Sequence, residues 1–276
     1  MTIAVAIAVP EGIVLAADSR GTFNNPQGWP KVATDNVRKV FKVSKSVGAC
    51  TFGWGMLNGK SIASHVEELS ASFPDTPIDD LRPAFIKYFE DECRTHIQVV
   101  GEEPPEGRTA LGFFLAGYGS QQEGEVFFCG FPGDPVKKPV ASASEDPGMV
   151  WQGQRDIVTR LIKGFDPRLD TSTLTTHVKS QLKDLEYLIY FARMVLQDAV
   201  DLAILLIRTT IETQRFTDGT LGNRGDVPGC GGGIDVAVVT RSHGFQWVQR
   251  KLLHGHNDHT RSLLLNDRPT GAGVLA

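Results

Sequence analysis

Residues 3–9 (Ile-Ala-Val-Ala-Ile-Ala-Val) form an almost unbroken apolar run, and after Pro10-Glu11-Gly12 a second run extends from Ile13 to Ala17. Two short apolar runs about a Gly-containing turn predict a β-hairpin, and their continuous apolarity predicts burial on both faces. Further strands are expected at Val40–Val43 and Val47–Phe52, separated by Ser44-Lys45-Ser46. The period then lengthens. Over Lys60–Leu69 the residues Ile62, Val66 and Leu69 fall at helical spacing, and over Ile78–Cys93 the residues Leu81, Phe85 and Phe89 share one stripe. Asp79 and Asp80 sit in the first turn of that second helix, where negative charge complements the helix dipole.

Pro and Gly content marks 101–108 as a loop. Strands return at Thr109–Ala116 and Glu125–Cys129, and a helix over Gln154–Lys163 stops at Gly164. A long helical stretch is expected over Leu182–Phe216, with Leu196, Val200, Ile204, Ile207 and Ile211 on its buried side. Leu202, Leu205 and Leu206 widen that face beyond one stripe, which predicts burial against a second copy of the chain in a closed homo-oligomeric ring. Residues 217–233 are Gly-rich, a last hairpin joins Ile234–Thr240 to Phe245–Val248 through His243-Gly244, and 250–276 read as a surface tail. Strands in blocks and helices in blocks predict a layered α+β fold in a single domain spanning 1–276. Strands buried on both faces are accommodated by two stacked sheets between two helix layers.

Composition changes this picture little. The 22% charged and 41% hydrophobic residues are those of a globular chain, and a net charge of −4 argues against a nucleic-acid partner. No apolar run approaches the roughly 20 residues that span a bilayer, and the start lacks the basic segment of a signal peptide. A cytoplasmic protein with no membrane partner is expected. Cys50, Cys93, Cys129 and Cys230 make no paired motif and read as reduced, buried thiols.

The candidate chemistry lies at the beginning of the chain. A hydroxyl is a poor nucleophile at neutral pH and needs a base beside it; when Thr is the first residue of a mature chain, its own α-amine can serve. That amine titrates near 7.7–8.0, close to working pH, and a lysine cation nearby lowers it further. Thr2 follows Met1, and a small second residue permits removal of that methionine. Asp18 ends the second strand, which the hairpin returns beside the start of the first, and Lys39 opens the third strand.

Thr2, the segment Gly12-Ile-Val-Leu-Ala-Ala-Asp-Ser-Arg-Gly-Thr22, Lys39-Val-Phe41, Gly53-Trp-Gly55 and Gly231-Gly-Gly-Ile-Asp-Val-Ala-Val-Val-Thr240 together resemble the proteasome β-subunit family, as a bacterial-type homologue. The resemblance covers about residues 2–250. It implies a four-layer αββα sandwich and a threonine-type N-terminal-nucleophile hydrolase that cleaves peptide bonds within a self-compartmentalised ring, without metal or organic cofactor. It implies Thr2 as nucleophile with its amine as base, Asp18 and Lys39 as the pair tuning that amine, and Arg20 as a structural partner. A backbone N–H of Gly53 or Gly55 would line the oxyanion hole. The family usually carries a Ser where this chain has Gly153-Gln-Arg155, and an Asp and a Ser where it has Asp226-Val-Pro-Gly-Cys230 with altered spacing. The loop 21–37 is lengthened and 165–190 is an added helical element. These departures leave open an inactive ring-forming homologue, or a small-molecule amidase with the same nucleophile.

Blander roles compete at each position. Thr2 after Met is common, Asp18 suits a turn, and Lys39, like Lys42 and Lys45, suits a solvated edge strand. His254-Gly-His256-Asn-Asp258-His259 has metal-ligand chemistry but reads as solvated tail. Gly229–Gly233 precedes a strand, so close backbone packing is favoured over a phosphate cradle. No motif names a substrate sequence, a ring size or an ATP-driven unfolding partner.

Overall fold

The computed structural model describes residues 2–251 except 26, 102–103, 105–108, 134–137, 167, 219–224 and 226. The elements run β1 (Ile3–Val9), β2 (Gly12–Asp18), β3 (Gly21–Asn24), β4 (Pro30–Thr34), β5 (Val40–Lys42), β6 (Val47–Gly53), β7 (Met56–Leu57), β8 (Lys60–Ser61), α1 (Ile62–Ala71) and α2 (Ile78–Val100). They continue with β9 (Leu111–Tyr118), β10 (Gly124–Phe131), β11 (Ala141–Ser142), β12 (Gly148–Gly153), α3 (Asp156–Lys163), α4 (Thr176–Asp184), α5 (Leu196–Phe216), β13 (Ile234–Thr240) and β14 (Gly244–Gln249).

One five-stranded sheet has the order β12-β1-β2-β13-β14, the other β11-β10-β9-β6-β5, and every pairing within them is antiparallel. Side chains alternate sides along a strand, so each all-buried strand feeds two cores. In β1, Ile3, Val5, Ile7 and Val9 pack with Ala199, Ala203, Leu206 and Ile207 of α5, while Ala4, Ala6 and Ala8 pack with residues of the second sheet such as Cys50 and Phe114. In β9, Leu111, Phe113 and Leu115 pack with Leu81, Phe85 and Phe89 of α2, and Phe114 and Ala116 turn toward the first sheet. Small residues let the sheets approach closely: a Cβ on Gly48 would stand 2.7 Å from the ring of Phe245.

The helices follow their stripes. Ser61 caps α1 by accepting the Ser64 N–H at 3.1 Å, so that helix begins at Ile62 and Lys60 belongs to a short strand pair. The second predicted helix runs on past Cys93 to Val100 and stops at Gly101, whose φ of 71° is left-handed. Gly164, at φ 76°, ends α3 as expected.

Four regions differ from the sequence expectation. Residues 21–24 and 30–34 pair as the β3–β4 ribbon where a loop is expected. Residues 148–153 form β12, the edge partner of β1; its Gly and intermediate burial hide the alternation. The helical stretch over Leu182–Phe216 is broken: α4 buries none of its residues, and a single 3-10 turn at Phe191–Arg193 precedes α5. Of the three leucines expected to widen the face of α5, Leu206 is in the core, Leu202 packs against it, and Leu205 alone is exposed. Leu185, Tyr187, Leu188, Tyr190 and Val195, which fall close together along the chain between α4 and α5, are also exposed. Lys42 and Lys45 are exposed. The candidate ligands His254–His259 lie outside the described residues. Among the described residues no helix is long and apolar enough to cross a membrane.

Phe89 is the centre of the helix-facing core of the second sheet, with ring centroids 4.8 Å from Phe85 and 4.6 Å from Phe113. Phe89→Ala removes a fully buried ring and is expected to cost about 3–5 kcal/mol. Denaturant unfolding measures this; a loss under about 1 kcal/mol would mean that the core collapses around the void.

Candidate active site

The hairpin geometry brings three early segments together. Asp18, the last residue of β2, lies beside the start of β1, and its side chain is fully buried. Its Oδ1 accepts the Ile3 N–H at 3.0 Å and the Lys39 Nζ at 2.8 Å. Its Oδ2 accepts the N–H groups of Arg20 at 3.1 Å and of Gly231 at 3.0 Å. Lys39 is itself 4% exposed, so of its two readings the pair with Asp18 is the one the geometry has, and the solvated edge-strand charge is not. Removing one partner of such a pair typically costs about 3–5 kcal/mol, because the other charge stays in low dielectric.

Thr2 is buried at the N-terminal end of β1. Its carbonyl accepts the Gln154 N–H at 2.6 Å. Gly153 is the residue that permits this: its φ is +94°, and a Cβ there would stand 1.9 Å from the Thr2 carbonyl oxygen. Thr2, Lys39 and Gly53 line one cavity of about 700 Å³, with Val37, Trp54 and Met56 on its walls.

Gly53 and Gly55 both face that cavity but are not equivalent. In β6 the Thr51 N–H donates toward the β5 side, to Lys39 O at 2.8 Å, and the Trp54 N–H donates the other way, to Ala110 O at 2.8 Å. N–H groups two residues apart point to the same edge of a strand. The Gly53 N–H therefore lies on the Lys39 edge, beyond the first residue of β5. A Cβ on Gly53 would stand 2.1 Å from Ala110 O, whereas nothing lies within 4 Å of one on Gly55.

A second charged layer supports the first. Arg20 binds Asp35 with both ends of its fork, Nε to Oδ1 at 2.6 Å and Nη2 to Oδ2 at 2.9 Å, and reaches Pro228 O at 3.2 Å. The Arg20 hydrogen bonds hold the Asp35 carboxyl below its ordinary range. Each glycine after Cys230 clears one neighbour: a Cβ on Gly231 would strike the Arg20 guanidinium at 2.4 Å, and one on Gly232 would strike Asp35 O at 2.6 Å. Asp226 lies outside the described residues.

Nothing in the sequence pattern marks Gln214, yet it joins Gln154 to Cys230. Its Nε2 donates to Gln154 Oε1 at 3.5 Å and its Oε1 accepts the Cys230 N–H at 2.9 Å. Burial pushes the Cys230 thiol well above its ordinary value, so it is neutral at physiological pH. Gln214→Leu leaves the buried Cys230 N–H without an acceptor and is expected to cost roughly 1–3 kcal/mol. A thermal midpoint unchanged from wild type would show that the amide bridge contributes nothing.

No protein-family model matches the chain. It is 27% identical over 263 residues to proteasome subunit beta 1 of Pyrobaculum aerophilum, covering 92% of this chain and 98% of that protein. Two solved structures titled Anbu, from Hyphomicrobium sp. strain MC1, are similar in fold. One superposes with a TM-score of 0.53 at 15% identity, covering 90% of this chain and 86% of that one. The other, a mutant, gives 0.51 at 15% identity over 89% and 85%. The chain is thus a distant sequence relative of a proteasome β subunit, on a mixed α/β fold shared with Anbu.

Proposed function

We propose that the chain is a threonine-type N-terminal-nucleophile hydrolase of peptide bonds, on a single four-layer αββα domain in which Met1 is removed and Thr2 becomes the first residue. The observation that carries this reading is the Asp18 carboxylate, one oxygen of which accepts both the N–H of Ile3, next to Thr2, and the ammonium of Lys39. A buried, oriented lysine is thereby fixed beside the freed α-amine.

The chemistry follows. The Lys39 cation disfavours protonation of the Thr2 amine and keeps it neutral at working pH. The amine takes the hydroxyl proton as Thr2 Oγ1 attacks the substrate carbonyl carbon. Charge that collects on the carbonyl oxygen is met by the Gly53 N–H. The protonated amine then donates to the leaving amine, the C–N bond breaks, and an ester on Thr2 remains. Water, deprotonated by the same amine, hydrolyses that ester. Lys39 stays charged throughout, and no metal or organic cofactor enters.

Self-association in a ring is part of the reading. Its support is the exposed apolar side chains of Leu185, Tyr187, Leu188, Tyr190 and Val195, together with the relative's being named a subunit. A cytoplasmic location is part of the same reading, and there a ring would confine such a nucleophile. The inactive ring-forming homologue is favoured by one observation, that Gln154 and Cys230 replace the family's hydroxyls; an amidase acting on small molecules would use the same residues.

Intact mass after treatment with an N-terminal-threonine-directed electrophile tests the nucleophile: one adduct is expected on wild type lacking Met1, and none on Thr2→Ala. Full retention of Met1 would sink the mechanism. Lys39→Ala and Asp18→Asn should each lower turnover at least about a hundredfold, and near-normal hydrolysis by a folded Lys39→Ala protein would show that the cation is wrongly assigned. Gly53→Ala keeps the N–H but sets a Cβ against Ala110 O, so it should displace the donor and be at least about tenfold more damaging than Gly55→Ala; the reverse order would move the oxyanion hole to Gly55. Light scattering decides assembly, since a clean species near 30.1 kDa would rule out the ring.

A further inference from the structure

Lys251 stands just past the last strand, where the sequence predicts a surface tail. Its backbone N–H donates to Asp235 Oδ1 at 2.9 Å, and Asp235 is 2% exposed. Its ammonium turns back across the glycine run to donate to Asp35 O at 3.1 Å and Val37 O at 3.4 Å. A Cβ on Gly233 would stand 3.3 Å from Lys251 Cδ, so that glycine gives the lysine stem its passage. Among the described residues its ammonium makes no ion pair; its charge is delivered to two backbone carbonyls.

Those carbonyls belong to the strap that leads into Lys39. Val37 donates its N–H to Ser19 O at 2.9 Å, lines the cavity, and stands two residues before Lys39. The strap has one other side-chain anchor, the Arg20 fork on Asp35. We propose that Lys251 is a positioning residue of the Thr2 site: it clamps the backbone of 35–37, fixes where Lys39 enters, and adds a second positive charge behind the Asp18–Lys39 pair. The inference rests on the reading of Thr2 as nucleophile.

The charges facing the site are largely matched. Asp18 holds Lys39, Arg20 holds Asp35, Arg38 holds Glu67, and the buried Asp235 accepts the Lys251 N–H. Cys230 is a neutral thiol. Burial lowers the Lys251 ammonium from its ordinary value. Its removal therefore takes away a positive charge from a region otherwise near balance. A nearby cation disfavours protonation of the Thr2 amine, so its loss raises the amine pKa. The acid limb of reactivity must then move to higher pH.

The test compares wild type, Lys251→Met and Lys251→Arg as full chains whose Met1 removal is checked by mass. Two readouts are taken: hydrogen exchange of the peptides covering 34–40, and the pH dependence of acylation by a β-lactone followed by intact mass. Lys251→Met should exchange faster over 34–40, acylate about tenfold more slowly, and show its acid limb roughly half a unit higher. Lys251→Arg should restore the limb. Unchanged exchange in Lys251→Met would overturn the clamp, whatever the reactivity. Faster exchange with an unmoved acid limb would overturn the role in the site and leave Lys251 a scaffold residue. A wild type that takes no β-lactone at any pH refutes the Thr2 reading instead, and the exchange arm still decides the clamp.

Discussion

The side chain of Asp18 is shut off from water and accepts hydrogen bonds from four donors on four separate stretches of chain: Ile3, Arg20, Lys39 and Gly231. A carboxylate in that setting is tolerable only while its lone pairs stay occupied, since each lost partner leaves several kcal/mol of desolvation uncompensated. The start of β1, the end of β2, the entry to β5 and the glycine run before β13 are therefore held to one arrangement. Rigidity at the N-terminal end of β1 is a consequence of satisfying one buried charge. A residue that must present an amine and a hydroxyl in fixed positions benefits directly.

Close approach is the second constraint, and glycine is how the chain meets it. Gly153 lets β12 end against the Thr2 carbonyl, and Gly53 lets β6 end against Ala110. Gly231, Gly232 and Gly233 each clear a different neighbour: the Arg20 guanidinium, the Asp35 backbone and the Lys251 stem. The run thus works as a packing surface for a charged layer. Its glycines are spaced by what lies against them.

Much of this was legible in the residues. The strands that are apolar throughout announced two-sided burial, and the stripes of α1 and α3 located those helices to within a few residues, while that of α2 found its start but stopped short of its end at Val100. The juxtaposition of Asp18 with the start of β1 followed from hairpin geometry alone. What the pattern concealed was long-range or weakly periodic. The edge strand β12 is only half buried, and the β3–β4 ribbon is largely exposed, so neither carries a clear apolar alternation. The break between α4 and α5 is hidden because its leucines and tyrosines are apolar yet exposed. Gln214 and Lys251 have no local signature at all; Gln214 reaches Gln154 60 residues away, and the Lys251 ammonium reaches carbonyls more than 200 residues away.

On the proposed reading of Thr2, the side chains of Gln154, Gln214 and Cys230 bear on proton traffic. An amide side chain donates and accepts hydrogen bonds but does not take up a proton near neutral pH, and a buried thiol held neutral does not readily give one up. The Gln154–Gln214–Cys230 bridge therefore orders the backbone around Thr2 without offering a relay. Lys39 is engaged by the Asp18 carboxylate at 2.8 Å. That leaves the α-amine to carry the proton in both halves of the reaction. Its basicity is then the quantity the surrounding charges must set, and Asp18, Lys39, Arg20, Asp35 and Lys251 form an ordered shell suited to setting it.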